Sequence, residues 1–281
     1  MNRAEIFKEL EHEIQFYSDN TKRQYRFHVF DYLEWLKDRD WSKREILYEY
    51  LDHLKKKGRS QTYINYIVRG PIGCLFRISG LRIPVKLPPV GARMINLADR
   101  FAYSVGEITA FIHAAKDSGN PQWRNIMSLS TTFGLRAGEI RAVGKEDTHP
   151  YKKTIVVHTQ KGGMLREHLV PEQIAPYIFG YEYPPVLPNR IYDIFREIAS
   201  AAGVLFVPKK CYHGIRHGLC TALENSRDSK GKRALDQTRV YQFLRWKGGG
   251  MMQIYTTPQM FEIDEEVLNI KIHPFLKYWA E

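Results

Sequence analysis

The chain has 281 residues, 43% of them hydrophobic, which is more than one ordinary domain and enough for two cores. Its 42 Lys and Arg outnumber 31 Asp and Glu to give a net charge of +11, pointing to a polyanionic partner. The three cysteines, Cys74, Cys211 and Cys220, have no paired metal-ligand spacing and fit a reducing compartment. No apolar run approaches the roughly 18 residues of a membrane span, so a soluble intracellular protein is expected.

From residue 3 to about 79 the pattern is helical. Tyr25, Val29, Tyr32, Leu33 and Leu36 recur at helical spacing after an Asn20-Thr21 start signal, opposite a face carrying Lys22, Arg23 and Arg26. Ser42-Lys-Arg-Glu45 has the form of a capping box, opening a helix that runs to Gly58. A further helix begins near Ser60, carries Tyr63, Ile64, Ile67 and Val68, and is kinked or ended by Pro71. Residues 1–80 therefore form a helical domain closed by Gly80. Residues 81–100 follow as a basic linker with Pro84, Pro88 and Pro89.

The second domain, 101–281, opens on a capping box, Ser104-Val-Gly-Glu107, and a helix start at Asn120-Pro121. Around residue 154 the period changes. Thr154-Ile-Val-Val-His158 and Met164 to Val170 read as strands of a hairpin turning at Lys161-Gly162-Gly163, and helices return from about 171. The tail, 261–281, places Val267, Ile270, Ile272, Phe275, Leu276 and Trp279 at roughly helical spacing, and so packs on its own or a neighbouring protomer. The fold class is mainly α with a small β-sheet (α+β).

Breaking a phosphodiester without a metal needs a nucleophile, fixed positive charge at the phosphoryl oxygens and proton donors and acceptors. Arg136, in Phe133-Gly-Leu-Arg-Ala-Gly-Glu139, can offer a phosphate two parallel donors, and Glu139 can orient it. Lys161 at a glycine turn can donate a proton, while His213 and Arg216, three residues apart on a helix, pair a proton shuttle with a second guanidinium. Tyr255 is a nucleophile if neighbouring charge activates its phenol, and Trp246 can donate its indole N–H or pack beneath the site. Alone, each is weak. A solvated turn lysine, a polar helix start and a core tryptophan are the ordinary readings of these residues. Asp236, Glu262, Asp264 and Glu265 read as solvated helix faces rather than a metal cluster.

In order and spacing, these residues resemble the tyrosine recombinases, or phage-type integrases. Phe133-Gly-Leu-Arg-Ala-Gly-Glu139 is similar to the family's first arginine box, Lys161 to its hairpin lysine, and His213-Gly-Ile-Arg216 to its His-x-x-Arg box. Leu244-Arg-Trp246 through Met252-Gln-Ile-Tyr255 resembles the segment from Leu-Gly-His to Thr-x-x-Tyr. There, arginine replaces the usual glycine, tryptophan the histidine and methionine the threonine. The likeness is specific from about 104 to 258 and diffuse over 1–90.

The resemblance implies a site-specific recombinase in which Tyr255 attacks the phosphate and joins the DNA 3′ end. Arg136 and Arg216 would hold the phosphate, Lys161 would protonate the leaving oxygen, His213 would serve as base, and Trp246 would donate or support. It implies no cofactor and no metal. The partners would be double-stranded DNA clamped between two domains, further copies of the chain in a synaptic tetramer, and an accessory DNA-bending protein, with no membrane. The setting would be the cytoplasm and nucleoid, serving a mobile element or virus. The competing readings are a type IB topoisomerase-like or telomere-resolving enzyme, a catalytically silent DNA-binding protein on the same fold, and a metal-dependent nuclease.

Overall fold

The structure, a computed structural model, describes residues 2–87, 102–159, 165–208, 210–245 and 257–281. The chain divides into two units, Met1–Met94 and Ile95–Glu281.

The first unit is helical because its apolar residues recur at helical spacing and three of its helix starts carry side-chain caps. In α1, Arg3–Glu13, the Asn2 side chain accepts from the Glu5 amide and the Glu5 carboxylate accepts from the Asn2 amide, both at 2.9 Å. The next helix, α2 (Asp19–Leu36), starts slightly earlier than Asn20-Thr21 suggested, because the Ser18 hydroxyl caps the Thr21 amide at 3.3 Å. The expected capping box at Ser42 does not form. Asp40 takes both the Ser42 amide and hydroxyl, at 3.0 and 2.7 Å, and α3 (Arg44–Lys56) starts behind Lys43 without a side-chain cap.

Ser60 caps α4, Gln61–Ile67. Pro71 neither ends nor breaks the helical path beyond it: a wide π-helical turn, Val68–Ile72, absorbs the missing amide and leads directly into α5, Gly73–Ile78. The core of this unit includes two buried tyrosines whose hydroxyls are satisfied. Tyr32 donates to the Trp41 carbonyl and Tyr50 to Asp31, each at 2.9 Å.

In the second unit α6 (Val105–Asp117) carries the expected Ser104–Glu107 box, and α7 (Pro121–Phe133) begins at an Asn120 cap with proline in its first turn. From Asn125 to Phe133, α7 is buried on every side. Its polar residues survive there because Ser128, Ser130 and Thr131 return their hydroxyls to carbonyls of the preceding turn, at 2.7–2.8 Å. After α8 (Ala137–Ala142) and a short 3-10 turn come β1 (Thr148–His149), β2 (Thr154–Val157) and β3 (Arg166–Leu169). They form an antiparallel sheet in that order, with Thr154 opposite Leu169 and Val157 opposite Arg166. The two-residue β1 was not legible in the sequence.

Helices α9 (Ala175–Phe179), α10 (Arg190–Ala201), α11 (Cys211–Glu224), α12 (Gln237–Phe243), α13 (Thr257–Val267) and α14 (Leu276–Ala280) complete the unit. The architecture is mainly α with a small sheet, and none of its described helices is long and apolar enough to cross a membrane. The tail packs on its own unit: Val267, Phe275, Leu276 and Trp279 are buried, and the Trp279 indole donates to Thr131 at 3.1 Å. Ile270 stays exposed.

Candidate active site

Helix α7 ends because Gly134 adopts a left-handed conformation, φ 61°, which reverses the chain without a Cβ penalty. The turn also has no room for a side chain: a Cβ on Gly134 would lie 2.9 Å from Leu244 and 3.4 Å from Arg216. Two residues later, Arg136 sits at the N-cap of α8 and remains partly exposed. Glu139, fully buried one turn on, holds it from both ends, accepting from its main-chain amide at 2.9 Å and from its guanidinium at 2.6 Å. Burial would raise the Glu139 carboxyl, but Arg245, the Arg136 amide and the Arg136 and Arg216 guanidiniums outweigh it and hold it below its ordinary range.

The second box lies on α11, which passes close to the chain entering α6. Gly214 accepts from the Tyr103 amide at 3.1 Å, and a Cβ on Gly218 would fall 2.3 Å from the Tyr103 carbonyl. Gly218 is therefore a packing residue, and its close approach and the Gly214 carbonyl bond fix the helix against this segment. They seat α11 so that Arg216 points inward, fully buried, while His213 is exposed and His217 lies between them in exposure. The rings of His213 and His217 are 5.9 Å apart. Arg216 donates to the Gly134 carbonyl at 2.7 Å and to the Leu244 carbonyl, which binds it to the turn that presents Arg136. Burial, reinforced by Arg245 and Arg136, pushes Arg216 down to about 8. His217 is lowered by burial and by the Arg216 and Arg136 guanidiniums.

Behind these two arginines is a charged network that sequence reading missed. Arg245 carries its guanidinium inward, 3.5 Å from Glu139, 3.2 Å from the Phe133 carbonyl and 2.8 Å from His168 Nε2. The other imidazole nitrogen, Nδ1, is 3.1 Å from Asp264 on α13, and Asp264 also accepts from Arg166 at 2.7 Å and from the Leu169 amide at 2.9 Å. Asp264 is thus not on a solvated face. It is wholly buried, because the strand β3 turns Arg166 and His168 inward and a buried cation requires a partner. The available signal was polar residues at alternate, inward positions of β3.

The network fixes the state of His168. A guanidinium can only donate, so Nε2 must be the accepting nitrogen and Nδ1 carries the proton toward Asp264. Burial pushes this histidine down to about 3, so it is neutral. Four guanidiniums, of Arg136, Arg166, Arg216 and Arg245, thereby face two carboxylates, Glu139 and Asp264. The surplus positive charge is suited to an anion such as a phosphodiester.

The structure therefore brings together Arg136, Glu139 and Arg216, with His213 on the same helix as Arg216. Lys161, Trp246 and Tyr255 lie outside the described residues, as does most of the linker expected at 81–100.

No protein-family model matches the chain. The tyrosine recombinase XerA of Thermococcus kodakarensis is 25% identical to it, with 85% of each chain covered. A crystal structure of a lambda integrase dimer bound to a COC′ core site matches the fold with a TM-score of 0.63 at 13% identity, covering 91% of this chain and 100% of that one. The Tn1549 transposon integrase in complex with transposon right end DNA matches with a TM-score of 0.52 at 13% identity, covering 86% and 91%. The arginine box and the His-x-x-Arg helix thus meet in a fold shared with these integrases, and in sequence the chain is similar to a tyrosine recombinase.

Proposed function

We propose that this chain is a site-specific DNA recombinase that cuts and rejoins strands through Tyr255. The observation carrying the reading is the meeting of Arg136 and Arg216 at one turn, with surplus positive charge behind them and Arg136 reaching solvent. In this account the two guanidiniums bind the non-bridging oxygens of one phosphate and stabilise the charge that develops on them. The Tyr255 oxygen attacks phosphorus while His213 takes the phenolic proton. The bond to the 5′ oxygen breaks as Lys161 supplies a proton to it, leaving a 3′-phosphotyrosyl bond and a free 5′ hydroxyl. Attack by another 5′ hydroxyl reverses these steps and rejoins the strands. Trp246 donates to or supports the phosphate, and Glu139 orients Arg136.

No cofactor or metal enters this reaction. The helical N-terminal unit supplies additional contacts to double-stranded DNA, and strand exchange takes place between four copies of the chain with an accessory DNA-bending protein, in the cytoplasm or nucleoid of a cell hosting a mobile element. The lambda integrase structures include a tetramer bound to a Holliday junction, which favours this assembly. The net charge of +11 supports DNA affinity that falls steeply with salt.

The test is incubation with a nicked, labelled suicide substrate in the presence of chelator, followed by a denaturing gel. A covalent adduct that the Tyr255→Phe variant does not form supports the proposal. Binding without adduct on the correct flanking DNA would support the silent DNA-binding reading. Relaxation of any supercoiled plasmid would favour the topoisomerase, and chelator-sensitive cleavage the nuclease.

A further inference from the structure

Arg245 has a left-handed backbone, φ 57°, a conformation that favours glycine and disfavours a long side chain. Its side chain is nonetheless buried, and it contacts Glu139, the Phe133 carbonyl and His168. A disfavoured backbone persists where its surroundings over-determine it, and here the surroundings are the partners of the guanidinium. Those partners come from different parts of the unit. Glu139 belongs to the arginine box, Phe133 ends α7, and His168 is on β3. Through its other nitrogen His168 reaches Asp264 on α13, so the imidazole joins a residue ten positions before Tyr255 to one nine positions after it.

We propose that Arg245 is a positioning residue: it sets Glu139, and through Glu139 Arg136, and it couples that pair by way of His168 to Asp264, so that the arginine box and both flanks of the nucleophile's segment are held in one frame. The proposal rests on the recombinase reading above for its catalytic consequence, but its structural content stands apart from it. Arg245 touches no substrate. Its effect is on geometry, and loss of that geometry slows a reaction whose groups must be aligned.

The test uses the full chain and five variants: Arg245→Gly, Glu139→Gln, the double of these, His168→Leu and His168→Gln. Arg245→Gly relieves the backbone while removing the guanidinium. Single-turnover adduct formation on the suicide substrate should fall about 100-fold, as expected for misplaced catalytic groups, with DNA affinity little changed. Adding Glu139→Gln to it should cost no more than the larger single effect, because the two act as one unit. His168→Leu, which can neither donate nor accept, should lose rate similarly, whereas His168→Gln, which can do both, should restore most of it.

An Arg245→Gly rate close to wild type would overturn the proposal, as would equal losses in the Leu and Gln variants of His168. If Arg245→Gly does not fold, the comparison between Leu and Gln at His168 decides. A readout independent of DNA is the NMR titration of His168. Removing the cation from Nε2 while Asp264 remains should move its titration upward, and an unmoved titration overturns the coupling even if no adduct forms with the wild-type chain. Absence of adduct from wild type on its cognate flanking DNA counts against the recombinase reading alone.

Discussion

Lowering the pH from 7 to 5 should destabilise the Ile95–Glu281 unit by about 4 kcal/mol, through two histidines buried in neutral form. Burial pushes His168 down to about 3, with Asp264 raising it and Arg166 and Arg245 lowering it further. Burial pushes His273 down to about 4, where it bonds the Thr132 carbonyl at 3.1 Å. In the unfolded chain both titrate near their ordinary value of about 6.5. Between the folded and unfolded values the unfolded state binds more protons, so stability rises with pH through this window and is lost as pH falls below about 6.5. At pH 5 each histidine contributes a loss of about 2 kcal/mol, which is the proton uptake available to the unfolded chain alone. The assay is urea unfolding of the full chain at pH 7, 6 and 5, following the transition of this unit. His168→Gln should remove about half of the pH dependence, because glutamine does not titrate. A stability that is flat from pH 7 to 5, or a slope unaffected by substituting either histidine, would refute the reasoning.

Glu139→Gln leaves Arg245 and Arg216 buried with less compensation and should destabilise the unit by about 3–5 kcal/mol in denaturant melts. Gly134→Ala should cost about 2–4 kcal/mol, combining the left-handed backbone with a Cβ pressed against Leu244, whereas Gly119→Ala, also left-handed but facing open space, should cost only about 1–2. Trp279→Phe should cost about 1 kcal/mol for the bond to Thr131, while Trp279→Ala opens a cavity and should cost about 3–5, both read from thermal or denaturant unfolding.

Local signals in the sequence were reliable where the interaction was itself local. The boxes at Ser104–Glu107 and the cap at Asn120 involve residues three positions apart or fewer, and they form as written. The failure at Ser42 has the same origin, since Asp40, two residues away, competes for the same donor groups. Arg136, Glu139 and the His213–Arg216 pair were visible because their spacing follows the helical turn. The network behind them was not, because it is made by residues far apart in the chain: Arg245 and Glu139 are 106 positions apart, and Asp264 and His168 are 96. Asp264 read as solvent-facing because a lone helix carries no sign of which strand will cover it. Pro71 was read as kinking or ending its helix, and the chain accommodates it by widening one turn and continuing as a helix. The apolar spacing of the tail announced burial but not the partner, here Thr131 of its own unit.

If Tyr255 becomes joined to DNA, the identity of the residue in a trapped protein–DNA adduct shows it. After protease and nuclease digestion, mass spectrometry should find a residual nucleotide linked through a 3′ phosphate on the peptide containing Tyr255 and on no other. A nucleotide on a different residue, or linkage through a 5′ phosphate, would contradict the account.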